Sequence, residues 1–137
     1  MNRGDVTSVF VYGTLQQAEE RARCWPHAPL SITPGEVRAA LYDLGDYPAI
    51  IDGDDRVAGE LWHIAPQHID ATLHALDEIE CCGQGGVDLY ERRVVECVTS
   101  HGPVSAFTYF LADQALARTY PRVLQHADGL CRWHRFR

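Results

Sequence analysis

Apolar residues recur along this chain with two periods. Between residues 66 and 80 they fall at Ile69, Leu73 and Leu76, the i, i+4, i+7 spacing of one helical face. Elsewhere they alternate, or cluster in runs of strand length. Residues 8–12 form an apolar run that reads as a buried strand. Residues 37–44 alternate enough for a second strand. Gly45-Asp46-Tyr47-Pro48 then reads as a turn, and Ala49-Ile50-Ile51 resumes the extended chain. Asp52-Gly53-Asp54-Asp55 predicts a hairpin turn, with residues 57–64 as the return strand. Residues 90–98 and 104–111 read as a strand pair turning at Ser100-His101-Gly102-Pro103, with Pro103 at an edge. Residues 16–23 are polar and predict a short helix or turn. Cys24-Trp25-Pro26-His27-Ala28-Pro29 is an irregular loop, because each proline disfavours helix in the residue before it. Cys82-Gly83-Gln84-Gly85-Gly86 is a glycine-rich loop, and the tail from Asp113 onward is mixed, with one short helix expected. Six or so short strands with one main helix indicate an α+β domain. Hairpin-rich chains of this size close into a small barrel to remove exposed edges.

One position breaks the helical pattern. The apolar stripe of Ile69, Leu73 and Leu76 continues, at about 100° per residue, onto residue 80, which is a glutamate. Glu78 falls on the opposite face, where a glutamate is expected. Either the helix stops a turn early and Glu80 enters solvent, or Glu80 faces the interior from the last turn. In the second case burial and the negative end of the helix dipole both disfavour the carboxylate and raise its pKa toward neutrality. A carboxyl group there can exchange protons in both directions.

A second feature lies at the end of the first strand, where Val9-Phe10-Val11 runs into Tyr12-Gly13-Thr14-Leu15. Gly13 has no Cβ, so its backbone is able to approach a ligand closely. Thr14 adds a hydroxyl that both donates and accepts. A plain strand-ending turn has the same appearance, and both readings stand at this level.

Composition narrows the function classes. With 137 residues the chain is read as one domain, 1–137, with one core. A formal net charge of −7 argues against a nucleic-acid or anionic-membrane surface. No apolar run approaches the ~20 residues a bilayer requires. The start, Met1-Asn2-Arg3-Gly4-Asp5, is polar with no signal-peptide core after it, so a cytoplasmic location is expected. The five cysteines, Cys24, Cys81, Cys82, Cys97 and Cys131, match no zinc spacing and read as free thiols. Cys81 or Cys82 as a nucleophile is disfavoured, because a helix C-terminus beside Glu80 raises a thiol pKa. The seven histidines form no ligand pair, so no metal site is expected.

Tyr12-Gly13-Thr14-Leu15 after an N-terminal apolar strand resembles the signature of the gamma-glutamylcyclotransferase-like family. The resemblance continues in order through Leu41-Tyr42-Asp43-Leu44-Gly45-Asp46-Tyr47-Pro48-Ala49-Ile50 and Val57-Ala58-Gly59-Glu60-Leu61-Trp62. It then runs through Leu76-Asp77-Glu78-Ile79-Glu80, Tyr90-Glu91-Arg92-Arg93-Val94-Val95 and Ala106-Phe107-Thr108-Tyr109. Each block is loose, and their joint order and spacing are specific. The resemblance implies a small mixed β-barrel with a few flanking helices and a cavity lined by the Tyr12-to-Leu15 loop. It makes Glu80, the residue that breaks the helical pattern, the catalytic general acid/base.

The implied activity is release of 5-oxoproline from a small-molecule γ-glutamyl amine or γ-glutamyl amino acid, with no cofactor or metal. Backbone N–H groups of Gly13, Thr14 and Leu15 are the candidates for holding the substrate carboxylate and the developing oxyanion. Tyr12 is expected beneath the site or hydrogen-bonded within it, and Tyr47 over it. Tyr90 and Tyr109 are candidates for walls or for a hydroxyl that positions Glu80, and each also reads as an ordinary half-buried strand tyrosine. Arg92 and Arg93 point to opposite faces of their strand and are expected mainly in surface salt bridges. The chain departs from the family where Cys81 replaces the glycine that commonly follows the catalytic glutamate. The alternative is a non-catalytic small-molecule binding or interaction protein on the same fold. Monomer and homodimer both remain open.

Overall fold

The computed structural model describes residues 6–17, 19, 21–80 and 89–133. The strands are β1 (Ser8–Val11), β2 (Ser31–Asp43), β3 (Pro48–His63), β4 (Tyr90–Thr99), β5 (Gly102–Leu111) and β6 (Leu130–Cys131). Helix α1 spans Ile69–Ile79 and the short α2 spans Gln114–Ala117, with 3-10 turns at Ala22–Cys24 and Pro66–His68. The sheet runs β1-β5-β4-β2-β3, and β3 returns to β1, closing a five-stranded barrel; β6 lies parallel on β3. β1 is antiparallel to β3 (Val9 opposite Trp62) and parallel to β5 (Val9 opposite Phe107). Closure leaves none of these five strands with an unpaired edge along its whole length.

Strand alternation divides the apolar residues between two cores. On β1, Phe10 joins Val37, Leu41, Leu61, Phe110 and Trp133 inside the barrel. Its neighbours Val9 and Val11 face outward with Trp62, Phe107 and Leu111, where Leu73 and Leu76 of α1 cover them. The stripe read from the sequence is therefore what docks α1 on the barrel wall. Thr72 and Leu76 of that helix are 1% and 0% exposed, which leaves no room for α1 to rotate about its axis.

Several boundaries differ from expectation. Asp52-Gly53-Asp54-Asp55 is not a hairpin turn, because β3 is continuous through it. Its pairing with β2 steps from Ala40 opposite Ile51 to Ala39 opposite Asp55, so residues 52–54 form a bulge. Bulges and turns draw on the same Asp and Gly residues, and one long β2 suffices to pair both halves of β3. The true reversal is at residues 44–47, where the Leu44 N–H donates to Tyr47 O (3.0 Å) and Gly45 adopts φ +103°. β2 begins six residues before the expected start, running straight through Pro34 and Gly35. The expected helix of 66–80 is a 3-10 turn followed by α1, and the tail carries β6 as well as the one helix. The expected 82–86 loop lies outside the described residues. No described helix is long and apolar enough to cross a membrane.

Candidate active site

β1 stops at Val11, opposite Glu60 of β3, and the chain turns sharply. The Gln16 N–H donates to Gly13 O (3.1 Å), and the Arg21 N–H to Thr14 O (2.7 Å), so the loop folds back on itself. Two side chains fasten it to the barrel. Glu60 accepts the Gln17 N–H (2.8 Å), and the Trp25 indole N–H donates to Leu15 O (3.0 Å). Trp25 is itself stacked on Trp62, ring centroids 3.9 Å apart. Gly13 sits against Pro48: a Cβ there would come 2.7 Å from the ring carbons. The glycine is thus required by packing, a reason the sequence does not reveal. Among the described residues, the N–H groups of Gly13, Thr14 and Leu15 donate to no acceptor.

Across from this turn lies the end of α1. The helix stops at Ile79, so Glu80 is its capping residue and not part of the last turn. The Glu80 N–H still donates to Leu76 O (2.9 Å), which fixes the residue on the helical path and keeps its side chain on the apolar stripe. Glu80, Tyr12, Gly13, Thr14, Leu15, Tyr47, Tyr90 and Tyr109 all line one cavity of about 140 Å³, together with Arg21, Pro48 and Thr108. That volume holds on the order of ten waters. Burial raises the Glu80 carboxyl from its ordinary range to about 7, with the Arg21 charge acting in the opposite sense. Glu80 keeps some exposure because it faces an open cavity, while the surrounding protein still strips most of its water.

The tyrosines frame the cavity with their hydroxyls already engaged. Tyr12 donates to Tyr109 O (2.6 Å), Tyr90 to Pro48 O (2.7 Å), and Tyr109 to Asp77 Oδ1 (2.6 Å). None donates to Glu80, so the expectation of a tyrosine hydroxyl positioning that carboxylate directly gives way to an indirect link through Asp77. Burial is the main cause that drives all three phenol pKa values up, so they stay protonated donors. Tyr47, delivered by the 44–47 turn, meets the Tyr90 ring edge-on at 6.4 Å and covers one side. Arg93 pairs with the exposed Asp52 and Glu91, as expected of a surface salt-bridging residue, whereas Arg92 departs from that expectation and pairs with the half-buried Asp77.

Arg21 is the residue that sequence reading missed. It belongs to a polar run without periodicity, and only folding brings it back to Thr14. Cys97 and Cys131 are buried, and Cys24 is exposed away from the cavity; Cys81 and Cys82 lie outside the described residues. Burial pushes the Cys97 thiol up to about 11. No group of three or more metal-ligating side chains occurs among the described residues.

Comparison with known proteins bears on the family and the fold. The Niallia circulans gamma-L-glutamyl-butirosin B gamma-glutamyl cyclotransferase is 29% identical over 131 residues, covering 90% of this chain and 81% of that protein. A Vibrio cholerae protein named for gamma-glutamylcyclotransferase is 37% identical over 73 residues. That match covers 52% of this chain and 62% of the Vibrio protein, just under two thirds of its length. The crystal structure of an AIG2-like protein from Mus musculus has the same fold, with a TM-score of 0.67 at 20% identity, covering 96% of this chain and 97% of that one. A family model described as gamma-glutamyl cyclotransferase, AIG2-like, matches residues 9–133, and the chain belongs to that family.

Proposed function

We propose that this protein is a cyclotransferase that releases 5-oxoproline from a γ-glutamyl amine or γ-glutamyl amino acid. The observation that carries the reading is the placement of Glu80, a carboxyl whose pKa burial raises to about 7, in one cavity with residues 13–15, whose N–H groups donate to no acceptor among the described residues. The bound glutamyl unit folds so that its α-nitrogen faces its own γ-carbonyl carbon. Glu80 as carboxylate takes a proton from the α-ammonium. The freed amine attacks the γ-carbonyl, a new C–N bond closes the lactam, and negative charge moves to the carbonyl oxygen. Donors from the 13–15 turn stabilise that oxygen and the α-carboxylate. Glu80 then returns its proton to the leaving nitrogen as the old C–N bond breaks; the regenerated carboxylate takes the second proton from the ring nitrogen and passes it to the freed amine, which departs as an ammonium and leaves the neutral lactam. Intramolecular attack in a held pose removes much of the entropic barrier, which leaves proton transfer as the main task of the protein.

The test is 5-oxoproline release from a panel of γ-glutamyl amino acids, γ-glutamyl alkylamines and ε-(γ-glutamyl)-lysine, with Glu80→Gln alongside. Release by wild type that Glu80→Gln reduces by at least about a thousandfold supports the mechanism. Release that survives in Glu80→Gln removes Glu80 from it. Silence on the whole panel favours a non-catalytic binding protein.

A further inference from the structure

The cavity contains two separate elements that favour anions, while a glutamyl unit brings only one carboxylate. The first is the 13–15 turn, whose Thr14 and Leu15 are buried, 8% and 3% exposed, where they line the cavity. The second is Arg21, the sole cation among the described lining residues, as Glu80 is the sole anion. Arg21 is only half-buried. Its backbone is tied to Thr14 O at 2.7 Å, which sets its side chain at the cavity instead of free in solvent. Its charge reaches both Glu80 and Tyr90 on the facing wall. Among the described residues it forms no ion pair, and the opposite charge its field reaches is that of Glu80 across the cavity.

We infer that Arg21 is a specificity-determining residue that selects γ-glutamyl compounds whose leaving amine carries a carboxylate. This rests on the cyclotransferase reading of the same site. The glutamyl unit lies against the buried 13–15 turn, where neutral N–H donors meet its α-carboxylate. The leaving nitrogen must meet Glu80 to collect its proton, and the group attached to it extends toward the mouth, past Arg21. A carboxylate there receives a charge-assisted hydrogen bond from the guanidinium. A neutral group forgoes it, and an ammonium is repelled. The contact is equal in ground and transition states, so it acts through KM more than kcat.

The experiment compares γ-glutamylalanine with the nearly isosteric, uncharged γ-glutamylalaninamide, and with γ-glutamyl-ethylenediamine, whose leaving group is a cation. For wild type, kcat/KM for the acid exceeds that for the amide by at least about tenfold, mainly in KM, and the cation is poorest. Arg21→Lys retains the order. Arg21→Gln brings the acid-to-amide ratio to about one, and Arg21→Glu places the cation first. A wild-type ratio near one overturns the inference. So does an Arg21→Gln variant that weakens both substrates equally, because Arg21 then serves the glutamyl unit common to all. Wild type that releases no 5-oxoproline from any of the three, yet releases it from another compound of the panel, overturns the inference alone; silence on every compound overturns the cyclotransferase reading as well.

Discussion

The Tyr109 hydroxyl donates to Asp77 Oδ1 at 2.6 Å, binding a strand of the barrel to the last turn of α1. Arg92 engages the other oxygen of the same carboxylate. Asp77 lies three residues before Glu80, on an adjoining part of the helix surface. The two contacts therefore clamp the helix end that carries Glu80 against β4 and β5. Tyr109 also presents its carbonyl to the Tyr12 hydroxyl, so the clamp and the turn at the end of β1 share one residue. Tyr109→Phe removes one donor while keeping the ring. It is expected to cost about 1–2 kcal/mol of stability and to lower kcat about tenfold or more with little change in KM, because Glu80 is less well aimed. Asp77→Asn, which keeps the shape but loses the charge paired with Arg92, is expected to fall between wild type and Asp77→Ala. Equal kcat in wild type and Tyr109→Phe, with only the melting temperature lowered, removes the clamp from the mechanism.

Glu80 makes stability depend on pH in an unusual direction. Most carboxylates have a depressed pKa when folded and stabilise the protein as pH rises. Here the folded value is raised, to about 7 from 4.5, by burial. Between those two values the folded state holds a proton that the unfolded state has lost, so stability falls as pH increases through that window. The penalty is complete above about pH 8 and amounts to up to about 3 kcal/mol. Glu80→Gln is expected to unfold at higher denaturant concentration than wild type at pH 8 and to match it near pH 4. For wild type the acid limb of kcat/KM is expected near pH 7, where Glu80, the proposed general base, becomes protonated. A wild-type acid limb near 4.5 would place Glu80 in water.

Gly13→Ala tests the packing that seats the 44–47 turn over the cavity. The added Cβ would lie 2.7 Å from two carbons of the Pro48 ring, a separation that real contacts do not sustain. Relief requires Pro48 to move, and the Pro48 carbonyl is the acceptor for the Tyr90 hydroxyl. Overpacking of this kind costs about 1–3 kcal/mol. Tyr47 moves with its neighbour, so KM for the γ-glutamyl substrate is expected to rise severalfold. Thermal unfolding together with substrate titration measures both effects, and an unchanged KM in a destabilised protein separates the packing role from the site.

What the sequence discloses here follows from the range of each interaction. The α1 stripe, the apolar run of β1 and the strand pair of β4 and β5 are local patterns, and they lead to the helix face, a strand-rich α+β chain and an inward-facing candidate at Glu80. The eight candidate site residues meet in one cavity because their blocks lie at strand ends and one helix end, where barrel closure gathers them. The failures are non-local. The bulge at 52–54 is decided by β2, which supplies partners on both sides of it. Arg21 reaches the cavity through a hydrogen bond to Thr14, seven positions away in an aperiodic run. The Tyr109–Asp77 link spans thirty-two positions and couples two side chains that each look ordinary in their own element.

Trp25 offers the cleanest way to loosen the 13–15 turn without altering a residue that lines the cavity. Its indole N–H holds Leu15 O at 3.0 Å, and its ring lies on Trp62 at 3.9 Å and 2°. Trp25→Phe keeps an aromatic face for the stack and deletes the donor, at about 1 kcal/mol. Leu15 is 3% exposed, so its orphaned carbonyl has little access to replacement water. The N–H groups of residues 13–15, which the proposed mechanism uses as donors, then lose part of their preorganisation. The oxyanion is the species that depends most on fixed donors, so the expected loss is in kcat, about fivefold to tenfold, beyond any change in KM. Glu80 stays on α1, untouched, so the acid limb of the pH profile is expected to remain where wild type has it. A shifted limb would mean that the loop controls the hydration of Glu80 as well as the donors, and that Trp25 acts on the whole cavity.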